Sequence, residues 1–182
     1  MSTYYSPFAI LTDSQKAPCV FELAAPLLAP LNSGNPVEQG TRVDLPLWLA
    51  SILTSSEPAG PGNGYICLIE LPASMGKKVV SALRADPKSV ELRQQAAFWF
   101  GMSEHMMILL EDEAVQEVII DSFKQRALEI ADKAQNSRSV QHGSGGDEFM
   151  NGLDQTERQL FRAAHDGSKA VKNWFDVASH RT

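Results

Sequence analysis

Apolar residues in the second half of this chain recur at helical spacing, and in the first seventy residues they do not. Met75, Val79 and Leu83 lie at i, i+4 and i+8, which puts them on one face of a helix. Val115, Val118, Ile119, Phe123, Ala127, Ile130 and Ala134 form a second such row, and Phe149, Leu153, Leu160, Ala164, Val171 and Trp174 a third. Between them, Ala96, Ala97, Phe98, Trp99, Phe100, Met102, Met106, Met107, Ile108, Leu109 and Leu110 cover more than one face. The pattern predicts four helices. Ser74 caps the first. Asp86 caps the second, which has Pro87 in its first turn and runs to about Leu110. Glu111-Asp112-Glu113 opens the third, its acids favoured by the helix dipole. The last runs from about Asp147 to Ala178.

Upstream of residue 72, Pro and Gly cut the apolar runs short, as at Pro18, Pro26, Pro30, Gly34, Pro36, Gly40, Pro58 and Gly60. Such punctuation predicts strands and turns. Lys16–Leu23, Thr41–Leu45 and Tyr65–Leu71 are the expected strands. Tyr65–Leu71 lacks strict alternation and reads as covered on both faces. Pro46 ends the second strand and suits the start of a helix over Pro46–Leu53. That helix is apolar on nearly every side and calls for cover on several faces. Leu45, Leu47, Trp48, Leu49 and Ile52 are the expected core of the small domain, with a contact to another chain as a second use of the segment. The predicted fold class is mostly α with a small β-rich N-terminal domain. Residues 1–72 form that domain, and 73–182 form a helical domain of about four helices. Residues 57–64 read as a loop, and 137–146, with its Gly143-Ser-Gly-Gly146, as a flexible connection.

Composition narrows the function classes. The chain of 182 residues is 43% hydrophobic, enough for a core, and carries a formal charge of −6. An acidic balance argues against an autonomous nucleic-acid binder, whose surface is normally basic; any DNA contact is expected to be indirect. The opening Met1-Ser-Thr-Tyr-Tyr-Ser-Pro has no basic and apolar regions of a secretory signal. No apolar run reaches the roughly 18 residues of a membrane span. Cys19 and Cys67 then read as buried thiols of an intracellular chain.

Candidate chemistry is sparse. Gly60-Pro-Gly-Asn-Gly64 is not followed by Lys-Ser/Thr, and Pro61 lacks a donor, so it is not a phosphate loop. His105, His142, His165 and His180 have no Cys or carboxylate at metal-ligand spacing on a shared face. The Ser and Cys residues sit in no nucleophile motif. The expectation is a protein without catalytic residues, cofactor or metal. The helices are richer in apolar surface than a unit this small needs. Phe98, Trp99, Met102, Met106, Leu160, Val171 and Trp174 are therefore candidates for a subunit interface, with the protein interior as the alternative use of the Trp and Met residues. An enzyme with a site assembled from dispersed residues and a free-standing helical adaptor remain open alternatives.

Several short motifs also resemble one family. Leu45-Pro-Leu-Trp-Leu-Ala50 after a short strand is similar to the signature of a GINS subunit, Partner of Sld Five, paralogue three. In the same order come Tyr4-Tyr5 with Ile10-Leu11, Lys16-Ala-Pro-Cys-Val-Phe21, Ile69-Glu-Leu-Pro72, Ala85-Asp-Pro87 with Val90 and Leu92, and Leu153-Asp-Gln-Thr-Glu-Arg-Gln-Leu-Phe161 followed by Trp174. The resemblance spans most of the chain and fades near residue 140. It implies a GINS-like helical bundle and a non-catalytic, nuclear subunit of a heterotetramer with the three other GINS paralogues. It further implies assembly with the MCM helicase ring and a RecJ-like replication factor into the replicative helicase, and a connection to polymerase epsilon.

Overall fold

The computed structural model describes residues 5–56, 64–110, 112–136 and 145–179. The expected loop at 57–64 and connection at 137–146 therefore fall almost wholly outside the described residues, as do Tyr4, Glu111, His142 and His180. The chain forms two compact units. One comprises residues 1–76 and 101–112; the other comprises 77–100 and 113–182. The expectation of a single switch near residue 72 did not include the return of 101–112 to the first unit.

In the first unit, α1 (Pro7–Asp13) leads into a three-stranded antiparallel sheet of β1 (Lys16–Phe21), β2 (Arg42–Pro46) and β3 (Cys67–Ile69), in the order β2-β1-β3. Alternation decides which side of β1 is covered. Ala17, Cys19 and Phe21 are buried, while Lys16 is exposed and Pro18 and Val20 are intermediate. On the same face, Ala17 pairs with Leu45, Cys19 with Val43 and Ile69, and Phe21 with Cys67. Pro18 is tolerated in the central strand because it lies where the pairing with β3 ends: its carbonyl still accepts from the Glu70 amide at 2.8 Å, and the N–H it lacks falls beyond the Cys19–Phe21 ladder. Cys19 and Cys67 are free, buried thiols. The neighbouring Cys67 thiol, reinforced by burial, holds the Cys19 thiol well above its ordinary pKa.

Short α2 (Leu47–Thr54) packs on this sheet. Its sequence promised cover on several sides, and that expectation needs correction. Only Leu47 and Ala50 are buried, and Leu49 is half-buried. Trp48 and Ile52, expected in the core, are 51% and 53% exposed. They stand one turn apart on the face that turns away from the sheet. β3 likewise is covered on one face only, since Leu68 is 45% exposed between buried Cys67 and Ile69.

In the second unit, α3 (Lys77–Ala85), α4 (Leu92–Gln95), α6 (Glu113–Gln135), α7 (Gly145–Gly152) and α8 (Gln155–Ser179) make the bundle. α6 packs on α3 and α8, and α4 on α7. The expected helix from Pro87 to Leu110 is broken. Ala96 is extended (φ −159, ψ 141), and a new helix, α5, runs over Trp99–Leu110. The expected last helix is also broken, at Leu153-Asp154, into α7 and α8.

α5 contains one close approach that fixes a residue. A Cβ on Gly101 would stand 2.9 Å from Oγ1 and 3.0 Å from Cγ2 of Thr12. Thr12 is itself buried and donates to the Phe8 carbonyl at 2.8 Å. Gly101→Ala is therefore expected to destabilise by about 1–3 kcal/mol through overpacking, despite the better helix propensity of Ala. Urea unfolding of Gly101→Ala beside Gly101→Ala/Thr12→Ala checks this. Removing Thr12 Oγ1 and Cγ2 should recover most of the loss, and additive losses would exclude the clash.

Candidate functional site

The groups with the capacity for chemistry gather around the break between α7 and α8. Asp154 and Glu157 form a reciprocal cap on α8. Asp154 Oδ1 accepts from the Glu157 amide at 2.8 Å, and Glu157 Oε2 accepts from the Asp154 amide at 2.9 Å. This is the capping-box arrangement with Asp in the cap position. Asp154 Oδ2 also accepts from the Phe100 amide at 2.9 Å, and the Gln155 amide donates to the Ala97 carbonyl at 3.0 Å. The start of α8 thereby fixes the start of α5.

Arg126 of α6 completes the cluster. Its Nε and Nη2 donate to the two oxygens of Glu157, the latter at 3.0 Å. Its Nη1 donates to the carbonyls of Pro87 at 2.7 Å and Val90 at 2.8 Å. The Arg126 side chain is 6% exposed and that of Glu157 is fully buried. The cluster thus joins α6, α8 and the turn after α3. Every strong group in it is spoken for, which makes it a structural tie rather than a reactive centre. A groove of about 300 Å³ beside it is floored by Val90, Ile130, Phe149 and Leu153 and edged by charges of both signs, with Lys133 over the Phe149 ring at 3.8 Å.

Burial pushes the Asp154 carboxyl up to about 6, against the hydrogen bonds from Glu157 and Phe100 that hold it down. The folded chain therefore binds this proton more tightly than the unfolded chain. The sign follows: the stability tied to this group is fully present below its unfolded pKa near 4 and is lost as pH rises through about 6. A shift of this size corresponds to roughly 3 kcal/mol at neutral pH. Asp154→Asn keeps one cap acceptor and removes the titration. Chemical unfolding from pH 3.5 to 7 should show wild type losing stability relative to Asp154→Asn between pH 4 and 6. Parallel curves would place the titration elsewhere.

The other candidate ligands are structural. His105 Nδ1 contacts the Gly101 carbonyl at 3.2 Å, and its Nε2 lies 3.5 Å from Asp13. The His165 ring stacks on Phe161. Among the described residues, no group of three or more His, Cys, Asp or Glu side chains could hold a metal ion. No helix among them is long and apolar enough to cross a membrane.

The candidate interface residues separate into two sets. Trp99, Met102 and Met106 are 0%, 2% and 1% exposed in the single chain. They are corrected from interface to interior: the sides of α5 that carry Trp99, Met102 and Met106 are covered within the chain, while Ile108 on the same helix is 70% exposed. Trp99 stands edge-on to Phe100, with centroids 5.0 Å apart, and Phe100 edge-on to Phe123 at 4.9 Å. Met102 and Met106 lie in the other unit, as does Ser103, whose hydroxyl is 3.8 Å from the Met75 sulfur. Phe98 and Leu160 are half-buried. Val171 and Trp174, by contrast, are 55% and 66% exposed. Phe175, which the periodicity did not single out, is 61% exposed and packs edge-on to Trp174 at 4.9 Å. The C-terminal half of α8 thus carries three large apolar side chains in one short stretch, where the apolar row read from the sequence had named only Val171 and Trp174, although Phe175 lies four residues after Val171.

Residues 5–55 match the family model described as the PSF3 N-terminal domain, and residues 74–176 match the GINS complex protein helical bundle domain. The chain is 45% identical over 181 residues to the DNA replication complex GINS protein psf3 of Aspergillus fumigatus, covering 98% of this chain and 99% of that one. It is 45% identical over 176 residues to the corresponding protein of Phaeosphaeria nodorum, covering 96% of each. With that of Schizosaccharomyces pombe it shares 31% over 177 residues, covering 97% and 99%.

Proposed function

This chain belongs to the Psf3 family of GINS proteins, and from that premise we propose that it is a non-catalytic scaffold subunit of a heterotetramer with the three other GINS paralogues. The observation that carries the reading is the exposed face of α8. Val171, Trp174 and Phe175 are each more than half exposed in the single chain. Large apolar side chains clustered on one surface mark an interaction site. The charged cluster of Arg126, Asp154 and Glu157 supports the same role, because it stiffens the bundle that presents this face. In this reading the assembly acts in the nucleus. It locks the MCM ring and a RecJ-like replication factor into the replicative helicase and connects them to polymerase epsilon. Residues 1–72 act as the small accessory domain and 73–182 as the assembly domain. DNA is contacted through the other components.

Purification of the tagged chain, alone and co-expressed with its three paralogues, tests the reading. Alone, the chain should self-associate or aggregate; co-expressed, it should elute as an equimolar four-component complex. A cooperatively melting monomer that ignores the other three would overturn it.

A further inference from the structure

A row of basic side chains runs along α8, away from the side that carries buried Glu157. Arg158, Arg162 and Lys169 lie at i, i+4 and i+11, which puts them on one face of the helix. Arg93 of α4 joins the start of this row, close enough for its charge to act on Arg158. Arg93, Arg162 and Lys169 are exposed and Arg158 is half-buried. Elsewhere in the same unit the cations are matched. Lys124 meets Asp121 at 3.3 Å, Lys133 meets Glu129 at 2.9 Å, and Arg126 is paired with Glu157. Among the described residues, no ion pair joins Arg93, Arg158, Arg162 or Lys169 to a carboxylate. Asp166, one turn beyond Arg162, lies at 3.5 Å from His165 instead.

The arginines are also held in place. Arg158 Nε and Nη2 both donate to the Met150 carbonyl of α7, at 3.1 and 2.7 Å. This fixes the guanidinium and leaves Nη1 without a partner among the described residues. Burial, and then the charges of Arg93 and Arg162, push Arg158 below the ordinary arginine value. Like charges one turn apart weaken a helix, so within the chain this arrangement is a cost with nothing set against it. We propose that the row binds an acidic segment of a partner subunit, resting on the subunit reading above. Its carboxylates would lie along the three turns from Arg158 to Lys169, about 17 Å of helix. A guanidinium fork takes a carboxylate through two hydrogen bonds. Phosphates of a nucleic acid share that chemistry, but the charge around the row favours the protein partner. The row is short, exposed Glu91 and Asp166 neighbour its arginines in sequence, and the chain as a whole carries −6. A long polyanion running past the row would meet an acidic surface.

The test uses the four-subunit complex, with dissociation constants from dilution series at two salt concentrations. Arg93→Gln/Arg162→Gln should weaken retention of one partner at least tenfold and flatten its salt dependence. The far-UV circular dichroism of the chain should not change, since neither side chain has an ion-pair partner within it. Arg93→Lys/Arg162→Lys keeps the charge and should lose no more than about threefold. Unchanged retention in the Gln variant overturns the proposal. So does an equal loss in the Lys and Gln variants, because charge would not be what the partner reads. Labelled single-stranded and duplex DNA oligonucleotides supply the third arm. If the Gln variant keeps its subunits and loses only oligonucleotide binding, the row is a phosphate contact and the proposal is wrong. If wild type itself fails to assemble, the subunit reading falls and takes the proposal with it. If wild type and the Gln variant assemble equally well, only the basic row is reassigned.

Discussion

Arg126→Ala is expected to cost about 3–5 kcal/mol and to unfold the bundle near physiological temperature. The size follows from what the substitution leaves behind. Glu157 is fully buried, and its two oxygens take donors from Arg126 and from the Asp154 amide. Without the guanidinium its charge is uncompensated in a dry site, and the Pro87 and Val90 carbonyls lose their donor as well. Glu157→Gln should cost less, because the amide still accepts from the Asp154 backbone, although it leaves Arg126 unpaired. The informative variant replaces both partners, Arg126→Met/Glu157→Met. A buried ion pair exchanged for packed apolar groups is often neutral, but here Arg126 also satisfies two carbonyls and Glu157 completes a cap. The double variant should therefore recover part of the loss of Arg126→Ala, with the remainder, about 1–3 kcal/mol, reporting the orphaned backbone groups. Chemical unfolding of the co-expressed complex measures all three. A single Arg126→Ala variant that loses less than 1 kcal/mol would mean that water reaches Glu157 and that the cluster is not a tie.

The elements that were legible in the sequence are those set by local rules. Pro and Gly bracket β1 and β2, and β1 alternates, so its buried face could be read residue by residue. α6 carries a clean helical row and was readable over its length. The misreadings have non-local causes. Nothing local in Ala96-Ala97-Phe98 opposes a helix. The break is stabilised by the Asp154 carboxylate, 54 residues away, which takes the Phe100 amide. The break at Leu153-Asp154 did have a local signal, since Asp154-Gln-Thr-Glu157 has the spacing of a capping box, but the apolar row of Phe149, Leu153 and Leu160 runs straight through it. Arg126 looks like surface from its type alone; only the turn at Pro87–Val90 and the cap of α8 make it interior. Trp48 failed for a different reason. An all-apolar helix reveals that cover is plentiful but not which side receives it, and the sheet covers Leu47 and Ala50 only. The same ambiguity let α5 pass for an interface when its Trp99 and Met side chains serve the interior. Type and periodicity could not separate α5 from α8, whose exposed residues are no more apolar than those of α5.

That separation gives the second large effect. Trp174→Asp/Phe175→Asp is expected to abolish co-purification with the other subunits while leaving the single chain folded. Both side chains are more than 60% exposed, so the free chain loses little packing, and a surface charge on a helix costs only tenths of a kcal/mol. In the complex the same positions would be desolvated, and each charge would then be buried without a partner. Aromatic anchors of an interface typically cost 2 kcal/mol or more on truncation alone. Two of them together weaken association by about a thousandfold, and the buried charges add to that. Leu160→Asp is the contrast. Leu160 is half-buried within the chain, on the stretch of α8 whose Phe161 packs with Phe149, so its charge should damage the bundle itself as well as assembly. Far-UV circular dichroism of the freshly purified chains separates the two cases. Trp174→Asp/Phe175→Asp should keep the wild-type helical signal and self-associate less than wild type but fail to co-purify, and Leu160→Asp should lose helical signal. If Trp174→Asp/Phe175→Asp co-purifies at wild-type yield, the C-terminal half of α8 is not the assembly face. The exposed pair Trp48 and Ile52 on α2 would then be the next apolar surface to test in the same way.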